Sequence, residues 1–302
     1  MLARLQQFIT FCLVGSSLAW LAWFYKTAPW LAWSGFLLIL LGYIAVLGIE
    51  FLLLKHINKS DPTPIAARSE LLQAWLGEAL IAPRIFCWRQ PFRFNAFPDN
   101  LAETSVVKGR RGVVFIHGFI CNRGFWNPWL KRLQGSGHAY VALSLEPVFG
   151  SIDNYTPQIE AAVKQVTDAT GLPPLLVCHS MGGLAARAWL HSLRADDRVH
   201  HIVTIGTPHH GTWLARFSHT LNGQQMRLNA SWQAGLDLGA PSQRSKLFTC
   251  WYGNSDNIVF PASSAMLAGA DNRLVRGQAH VQMAFAPQLM DSTLAMLTVT
   301  AK

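Results

Sequence analysis

The chain has 302 residues, which is long enough for one or two domains with a sizeable buried core. Its composition, 51% hydrophobic and 14% charged, is too apolar for an ordinary soluble enzyme and indicates that part of the chain lies in a membrane. The net charge is +9, but the basic residues are scattered and no zinc-finger or RNA-binding motif is present, so a membrane surface is a better partner than nucleic acid.

Two long apolar runs open the chain, at residues 8–24 and 30–54, with a short turn between them. The first is at the short end of what spans a bilayer, and the second is long enough to span it with tilt. Tryptophan and tyrosine residues cluster around the turn, as expected for an interfacial aromatic belt. We therefore predict a transmembrane helical hairpin over residues 1–58 that contacts the bilayer through residues 8–54. Glu50, near the far end of the second run, is expected to reach the lipid headgroups.

Two other interpretations of these runs stay open, a signal peptide and a pair of buried soluble helices. No A-x-A-like cleavage site follows the first run and a second run comes at once, which favours the hairpin. Arg4 precedes the hairpin and Lys55 and Lys59 follow it, against a lone Lys26 in the turn. The positive-inside rule then predicts that both ends and the remaining chain lie in the cytoplasm.

Residues 59–84 are predicted to form a linker followed by an amphipathic helix, with Ser69 as a candidate N-cap. The apolar side of this helix can lie on the bilayer surface or pack on the globular domain, and the sequence leaves both open. That side carries Leu71, Leu72, Trp75, Leu76, Ala79 and Leu80.

Residues 85–302 alternate strand-like and helix-like patterns. Such alternation predicts an α/β domain with a mainly parallel sheet and helices on both faces, whose site lies at the carboxyl ends of the strands. The candidate helices are at 125–133, 159–167, 184–193 and 285–297, the last following a short apolar run at 274–277. The candidate strands are at 85–88, 112–116, 140–145, 175–178, 201–205 and 247–252.

The most informative stretch is a short apolar strand at 175–178 that turns abruptly into a helical pattern at 184–190. A serine at such a corner, here Ser180, has a strained backbone and an exposed hydroxyl, which is typical of a nucleophile elbow. The usual pattern is G-x-S-x-G, and Cys178 occupies the first glycine position. Cysteine is still compact, so we expect the strand and helix to approach with somewhat tighter packing beneath Ser180.

A second stretch, at residues 117–126, follows the predicted strand that ends at residue 116. Gly118 lets the backbone turn so that nearby amides point into a cleft. Ester hydrolysis builds negative charge on the former carbonyl oxygen, and fixed N–H donors stabilise it. We expect Phe119 to supply one donor and Met181, the residue after the serine, to supply the other.

Three segments together resemble the α/β-hydrolase superfamily, and within it the bacterial triacylglycerol lipases and related esterases. They are His117-Gly118-Phe119, the elbow at 178–183, and Gly206-Thr207-Pro208-His209-His210-Gly211. The resemblance covers roughly residue 113 to the C-terminus and leaves the hairpin outside it. It implies the α/β-hydrolase fold, with a small cap over about residues 212–245.

In this superfamily the triad runs serine, acid, histidine along the chain. His280 is the one histidine beyond the acid candidates that follow the predicted strand at 247–252. Asp256 comes directly after that strand in the S-D-x-x-V context of the family, and Asp271 and Asp237 are the alternatives. The resemblance therefore implies that Ser180 attacks, that His280 is the base, and that Asp256 orients His280.

The resemblance and the apolar N-terminus imply a membrane-anchored serine hydrolase that cleaves carboxylic esters of lipids or other apolar acyl groups through an acyl-enzyme. An acyltransferase or thioesterase would use the same triad, and a non-catalytic membrane scaffold on a hydrolase fold is an alternative of a different class. Four aromatic residues are expected to line the substrate cleft: Phe119, Phe125, Trp126 and Trp213.

No cofactor is expected, and no metal site is expected either. His209 and His210 are adjacent on one loop, and such neighbours rarely converge on one ion. The expected location is the bacterial inner membrane, with two membrane-spanning helices and the catalytic domain in the cytoplasm. The sequence leaves the oligomeric state open.

Overall fold

The computed structural model describes residues 1–101 and 107–298, so the last residues of the predicted catalytic domain lie outside the described part. Six parallel strands form one sheet in the order β2-β1-β3-β4-β5-β6. The strands are β1 (Val113–Ile116), β2 (Tyr140–Ala142), β3 (Leu175–His179), β4 (His201–Ile205), β5 (Phe248–Gly253) and β6 (Asp271–Val275).

Helices precede the sheet and cover both of its faces. They are α1 (Leu2–Phe24), α2 (Pro29–Ile57), α3 (Arg68–Pro83), α4 (Gln90–Phe92), α5 (Asn127–Leu133), α6 (Thr156–Thr170), α7 (Met181–Leu193), α8 (Leu221–Gln225), α9 (Ser231–Gly235), α10 (His280–Met283) and α11 (Pro287–Ala295).

The predicted α/β architecture is confirmed. Strands β1 and β3 are completely buried, and all their residues except His179, the last of β3, are apolar, as expected for central strands covered on both faces. One face of the sheet packs on α6 and α7 around Trp189, and the other packs on α5 and α11 around Trp129. All neighbouring strands are parallel, so their carboxyl ends meet at one edge of the sheet.

The strand predicted at residues 85–88 is wrong. Residues Arg84–Arg89 form a π-helical segment that continues α3 directly and leads into α4. Short apolar runs do not distinguish a strand from a helix, and here the burial follows a helical pattern, with Ile85 buried and Trp88 exposed. Pro83 has no N–H to donate, and wide helical turns commonly form where the ordinary ladder is interrupted.

The sequence also misses the edge strand β6 as an element of the sheet. Three of its five residues are polar, Asp271, Asn272 and Arg273, and the strand pairs with β5 on one side, so no run of buried apolar residues marks it. Strand β2 is shorter than predicted, ending at Ala142 where the chain leaves the sheet.

Helices α1 and α2 are each long and apolar enough to cross a membrane, by length and composition. They pack on each other, and little of their outer surface is covered by the rest of the chain. Large apolar side chains therefore face outward along both helices, Trp23, Trp30 and Leu38 among them.

Helix α3 lies between α2 and the catalytic domain. Trp75 donates its indole N–H to the Ile44 carbonyl at 3.0 Å, and Tyr43 donates its hydroxyl to the Ala79 carbonyl at 2.7 Å. The predicted apolar side is thus divided: Trp75 and Ala79 pack inward, whereas a second row points outward, formed by Leu72, Leu76 and Leu80.

The predicted N-cap of α3 is wrong. The helix begins at Arg68, so Ser69 already lies in its first turn. The carboxylate of Glu70 instead accepts the backbone N–H of Ala67 at 2.8 Å. This bond satisfies one of the unpaired amides at the helix start.

Candidate active site

Ser180 lies at the corner between β3 and α7, at the carboxyl edge of the sheet. Its φ of 54° and ψ of −128° are strained for a residue with a side chain. Its N–H donates to the Ile205 carbonyl at 2.8 Å, which fixes the turn to the end of β4. A Cβ at Gly182 would lie 2.3 Å from the Ile116 carbonyl oxygen, so the start of α7 approaches β1 too closely for any larger residue.

The cysteine in place of the first elbow glycine is part of the core. Cys178 is fully buried in the cluster on the α6 and α7 side of the sheet. Burial raises the pKa of its thiol, so the group stays protonated and packs as a small hydrophobe. Cys121 is also buried, and its pKa is raised to about 12.

Asp256 and His280 are joined directly, with His280 Nδ1 2.9 Å from Asp256 Oδ2 and both side chains buried. The other carboxylate oxygen, Oδ1, accepts the N–H groups of Ile258 and Val259 at 3.0 and 2.8 Å. These two bonds fix the carboxylate, which leaves Oδ2 to accept the Nδ1 proton. His280 Nε2 is then the free acceptor.

Asp271 and Asp237, the alternative candidates for the acid, form ion pairs with arginines and not with His280. Asp271 begins the edge strand β6 and pairs with Arg273, and Asp237 pairs with Arg187. Arg187 also donates to the His209 carbonyl at 2.8 Å, so this group joins α7 to the loop after β4 and to the segment after α9.

Ser180 follows β3, whereas Asp256 follows β5 and His280 follows β6, so β4 lies between the serine and the acid in the sheet. Its neighbour His179 has its ring centroid 4.6 Å from that of His280, and His179 Nε2 lies 3.2 Å from the His280 carbonyl oxygen. Within residues 1–101 and 107–298, no hydrogen bond joins Ser180 Oγ to His280. Such bonds are often long in a free enzyme and shorten when substrate binds.

Several anions surround His280. Burial alone lowers the pKa of this histidine, but the carboxylates of Asp256, Glu78 and Glu50 more than offset burial, and the pKa is raised above its usual value. Glu78, on α3, is itself buried, and burial raises its pKa to about 7. The site therefore favours the imidazolium that forms when His280 accepts a proton.

The loop after β1 approaches the nucleophile closely. A Cβ at Gly118 would lie 2.7 Å from Ser180 Cβ, so the backbone at this position passes beside the serine. The predicted oxyanion donors are the N–H groups of Phe119 and Met181. In the part of the chain that the structure describes, neither N–H donates to another group of the protein.

His117 holds this loop to the segment after β2. The Leu145 N–H donates to His117 Nε2 at 2.9 Å, so the ring proton is on Nδ1 and is donated to the Gly118 carbonyl at 2.8 Å. Burial lowers the pKa of His117 to about 4, so the ring stays neutral at physiological pH.

Gln90, at the start of α4, holds the other side of the same loop. Its side-chain oxygen accepts the Asn122 N–H at 2.9 Å, and its backbone carbonyl accepts the Asn122 side-chain amide at 3.0 Å. Gln6, on α1, donates to the Gln90 side-chain oxygen at 3.3 Å. Helix α1 therefore reaches the loop after β1 through Gln90, and also directly, because Gln6 Nε2 donates to the Ile120 carbonyl at 3.4 Å.

A cavity of about 180 Å³ opens beside Ser180. Its walls are mainly apolar and come from the loop after β1, the segment after β4 and the segment after Asp256. The residues that line it include Phe119, Pro208, Leu214, Ala215, Met226 and Val259.

Of the four aromatic residues expected in the cleft, Phe119 alone lines this cavity. Phe125 and Trp126 are wrong as cleft residues because both are fully buried in the core, with Phe125 stacked on His179 at 4.5 Å. Trp213 packs against Phe260 and carries the Arg216 guanidinium over its ring, so it lies behind the cavity wall.

Sequence reasoning missed Glu50, Glu78 and Asn257 as neighbours of the histidine. Glu50 was expected at the lipid headgroups, but its Oε2 accepts a hydrogen bond from Asn257 Nδ2 at 2.6 Å. The available signal was that Glu50 is a lone acid in an apolar helix, a pattern that usually marks a function. Glu78 and Asn257 carry no comparable signal.

The fold matches that of known lipases, and part of the chain is similar to them in sequence. Residues 165–282, which include Ser180, Asp256 and His280, match the family described as a PGAP1-like alpha/beta domain. A triacylglycerol lipase from Burkholderia plantarii is 33% identical over 132 residues, which cover 40% of this chain. The same match covers 36% of that lipase, so the chain spans about a third of the length of this curated relative.

Two solved lipase structures share the fold at low sequence identity. The mature lipase of Bacillus licheniformis superposes with a TM-score of 0.55 at 17% identity, covering 63% of this chain and 93% of that one. Lipase B from Aspergillus fumigatus gives a TM-score of 0.58 at 18% identity, covering 69% of this chain and 57% of that one. The sheet and its surrounding helices therefore form an α/β-hydrolase fold, the fold of these lipases, to which α1 and α2 add an apolar helical hairpin.

Proposed function

We propose that the protein is a serine hydrolase that cleaves carboxylic esters through an acyl-enzyme. The observation that carries this proposal is the convergence of three features at one edge of the sheet. These features are a strained serine elbow, a buried aspartate–histidine pair, and the N–H groups of Phe119 and Met181. Ser180 and Phe119 line an apolar cavity at this edge.

In the proposed reaction Ser180 Oγ attacks the acyl carbonyl carbon while His280 Nε2 accepts the hydroxyl proton. The N–H groups of Phe119 and Met181 stabilise the resulting oxyanion. Collapse of this intermediate breaks the ester bond, and His280 returns the proton to the leaving alcohol. Water then attacks the acyl-enzyme, with His280 again as base, and releases the acid and free Ser180.

An apolar acyl group fits the cavity beside Ser180. Leu214, Met226 and Val259 offer no charge to a substrate, and hydrophobic contacts suit a fatty acyl chain. The similarity to a triacylglycerol lipase supports the same substrate class. We therefore propose lipid or other apolar acyl esters as substrates.

We further propose that α1 and α2 anchor the enzyme in a membrane. Their outward apolar side chains form a large apolar surface. Exposing this surface to water is unfavourable, and a bilayer would cover it. The exposed apolar row of α3 points outward in the same way, which suits a helix at the bilayer surface. The flanking basic residues favour a cytoplasmic catalytic domain.

The catalytic proposal is tested by hydrolysis of a series of p-nitrophenyl esters of increasing chain length, with full-length protein in detergent. Wild type is expected to hydrolyse the series with a preference for medium or long chains, and Ser180→Ala is expected to lose at least 10³-fold in kcat. Adding a primary alcohol or a thiol as acceptor separates transfer from hydrolysis, because transfer forms a new ester or thioester.

The anchoring proposal is tested by protease access in sealed inner-membrane vesicles. The catalytic domain is expected to be digested in inverted vesicles and protected in right-side-out vesicles. Digestion in right-side-out vesicles would contradict the proposed orientation, and release of the intact chain by carbonate washing would contradict the anchor.

A further inference from the structure

Glu50 belongs to the apolar helix α2, yet its carboxylate is part of the surroundings of His280. Its Oε2 accepts a hydrogen bond from Asn257 Nδ2 at 2.6 Å. Asn257 is completely buried, and its Oδ1 accepts the backbone N–H of His280 at 3.2 Å. Two hydrogen bonds therefore connect α2 to the backbone of the histidine.

The orientation of the Asn257 side chain depends on Glu50. An amide side chain presents an oxygen on one side and an NH₂ group on the other. The His280 N–H needs the oxygen, so the NH₂ group must face Glu50, which can only accept. Without that acceptor the buried NH₂ group of Asn257 would be left unpaired. The free-energy cost of the unpaired group would favour rotation of the amide away from His280.

A second carboxylate holds the next turn of the same segment. Glu78, on α3, accepts the N–H of Val281 at 3.1 Å and that of Gln282 at 3.0 Å. The first three N–H groups of α10 are thus all bound by side chains. The histidine has a fixed backbone as well as a fixed ring, because Asp256 holds its Nδ1.

We propose that Glu50 is a positioning residue for His280 that acts through Asn257, so that the second apolar helix is part of the catalytic architecture as well as an anchor. This inference rests on the proposed esterase activity. It gives a role to the one acidic residue of a mainly apolar helix, where an unpaired charge would be costly.

The charged groups around His280 determine how its pKa changes when Glu50 is replaced. They come from Asp256 on the loop after β5, Glu78 on α3 and Glu50 on α2, and the His179 ring lies beside them. Each carboxylate favours the protonated imidazole. Removing one of them lowers the pKa of His280, so the acid limb of the kcat/KM profile moves to lower pH.

The test compares Glu50→Leu, Glu50→Gln, Asn257→Leu and the double leucine variant as full-length proteins in detergent. Glu50→Leu is expected to lower kcat by about 10- to 100-fold with little change in KM, because Glu50 does not line the cavity. Glu50→Gln keeps an acceptor for Asn257 and should retain kcat within about threefold. Its acid limb should nevertheless move to lower pH, because the charge is gone.

Asn257→Leu should resemble Glu50→Leu, and the double variant should be no worse than Asn257→Leu, since both changes break one chain of hydrogen bonds. Tyr43→Phe is the matched control, because it removes a different hydrogen bond between α2 and α3 and no contact of Asn257 or His280. It should keep both kcat and the acid limb of wild type.

Wild-type kcat and an unshifted acid limb in both Glu50 variants would overturn the proposal, as would additive losses in the double variant. If Glu50→Leu fails to fold, the pH profile of Glu50→Gln is sufficient: an acid limb that moves to lower pH supports the proposal, and an unshifted one overturns it. A wild type that does not react with a fluorophosphonate at Ser180 would instead refute the proposed function, whatever the Glu50 variants show.

Discussion

Asp256 Oδ2 lies 2.9 Å from His280 Nδ1, while Asp256 Oδ1 accepts two backbone N–H groups. The aspartate therefore presents one oxygen to the backbone and one to the imidazole, and these roles cannot be exchanged. This asymmetry fixes the tautomer of His280 with its proton on Nδ1.

Asp256→Asn is expected to lower kcat by roughly 10³- to 10⁴-fold while leaving the fold intact. The asparagine oxygen must replace Oδ1 to keep the two backbone bonds, so its NH₂ group faces His280. The imidazole then places its proton on Nε2 and cannot accept the Ser180 proton. Steady-state kinetics and a thermal melt measure the two effects, and an active variant with an unchanged melt would contradict the assignment of the acid.

Gly206→Ala is expected to abolish activity through a single methyl group. A Cβ at this position would lie 2.9 Å from Asp256 Oδ2 and 3.0 Å from His280 Nδ1. Gly135→Ala is the matched control, because Gly135 also has a positive φ but nothing lies within 4 Å of an added Cβ.

Both glycine variants should lose at least about 1 kcal/mol of stability to backbone strain. Only Gly206→Ala should lose kcat, measured on the same ester at a temperature where both variants are folded. Equal activity in the two variants would show that the aspartate–histidine pair is not needed.

Gln90→Leu is expected to lower kcat by roughly 10- to 100-fold, because the loop that carries the Phe119 amide loses the two hydrogen bonds that the Gln90 side chain makes with the Asn122 N–H and Cys121 Sγ. Gln7→Leu serves as the control, since Gln7 joins α1 to the Pro91 carbonyl and not to the loop. A transition-state analogue such as a boronic acid should bind Gln90→Leu more weakly than wild type. Equal affinity of the analogue for Gln90→Leu and wild type would show that Gln90 does not position the proposed oxyanion donors.

The fold should lose stability as the pH falls from about 6.5 towards 4. Burial lowers the pKa of His117 to about 4, whereas a histidine in the unfolded chain has a pKa near 6.5. Between these values the unfolded state binds a proton that the folded state does not, at a cost of up to about 1.4 kcal/mol per pH unit. The contribution of His117 is complete above pH 6.5.

Thermal melts across this range measure the effect. His117→Asn cannot titrate, so its melting temperature should fall less steeply between pH 6.5 and 4 than that of wild type, although the variant is less stable at pH 7. An identical slope would contradict the buried neutral state of His117.

The sequence predicts the sheet because local patterns mark most of its strands, and the family resemblance supplies the chain order of the proposed triad. Residues 175–178 are uniformly apolar, as expected for a central parallel strand, and His280 is singled out by its place in the chain. The segment at residues 85–88 is as apolar as a strand, and only its continuity with α3 makes it helical. The composition of residues 85–88 alone does not show that they continue α3.

The surroundings of the histidine could not be predicted for a related reason. Glu50 and Glu78 lie about 200 residues before the groups they bind, and each is positioned by the packing of α2 and α3 against the catalytic domain.

Phe125 and Trp126 show the opposite case, in which residues close in sequence to the site lie outside it in the structure. Their proximity in sequence to the loop after β1 suggests a cleft, but both lie in the 3₁₀ turn Arg123–Trp126 that leads into α5 and are buried in the core.

The role of Ser180 as nucleophile is tested most directly by covalent labelling of the full-length protein in detergent with a fluorophosphonate, followed by mass spectrometry of the modified peptide. A single adduct on Ser180 is expected, lost in Ser180→Ala and strongly slowed in Asp256→Asn, while all three proteins melt alike. Folded wild-type protein that does not react, or Ser180→Ala protein that is labelled as well as wild type, would contradict this role.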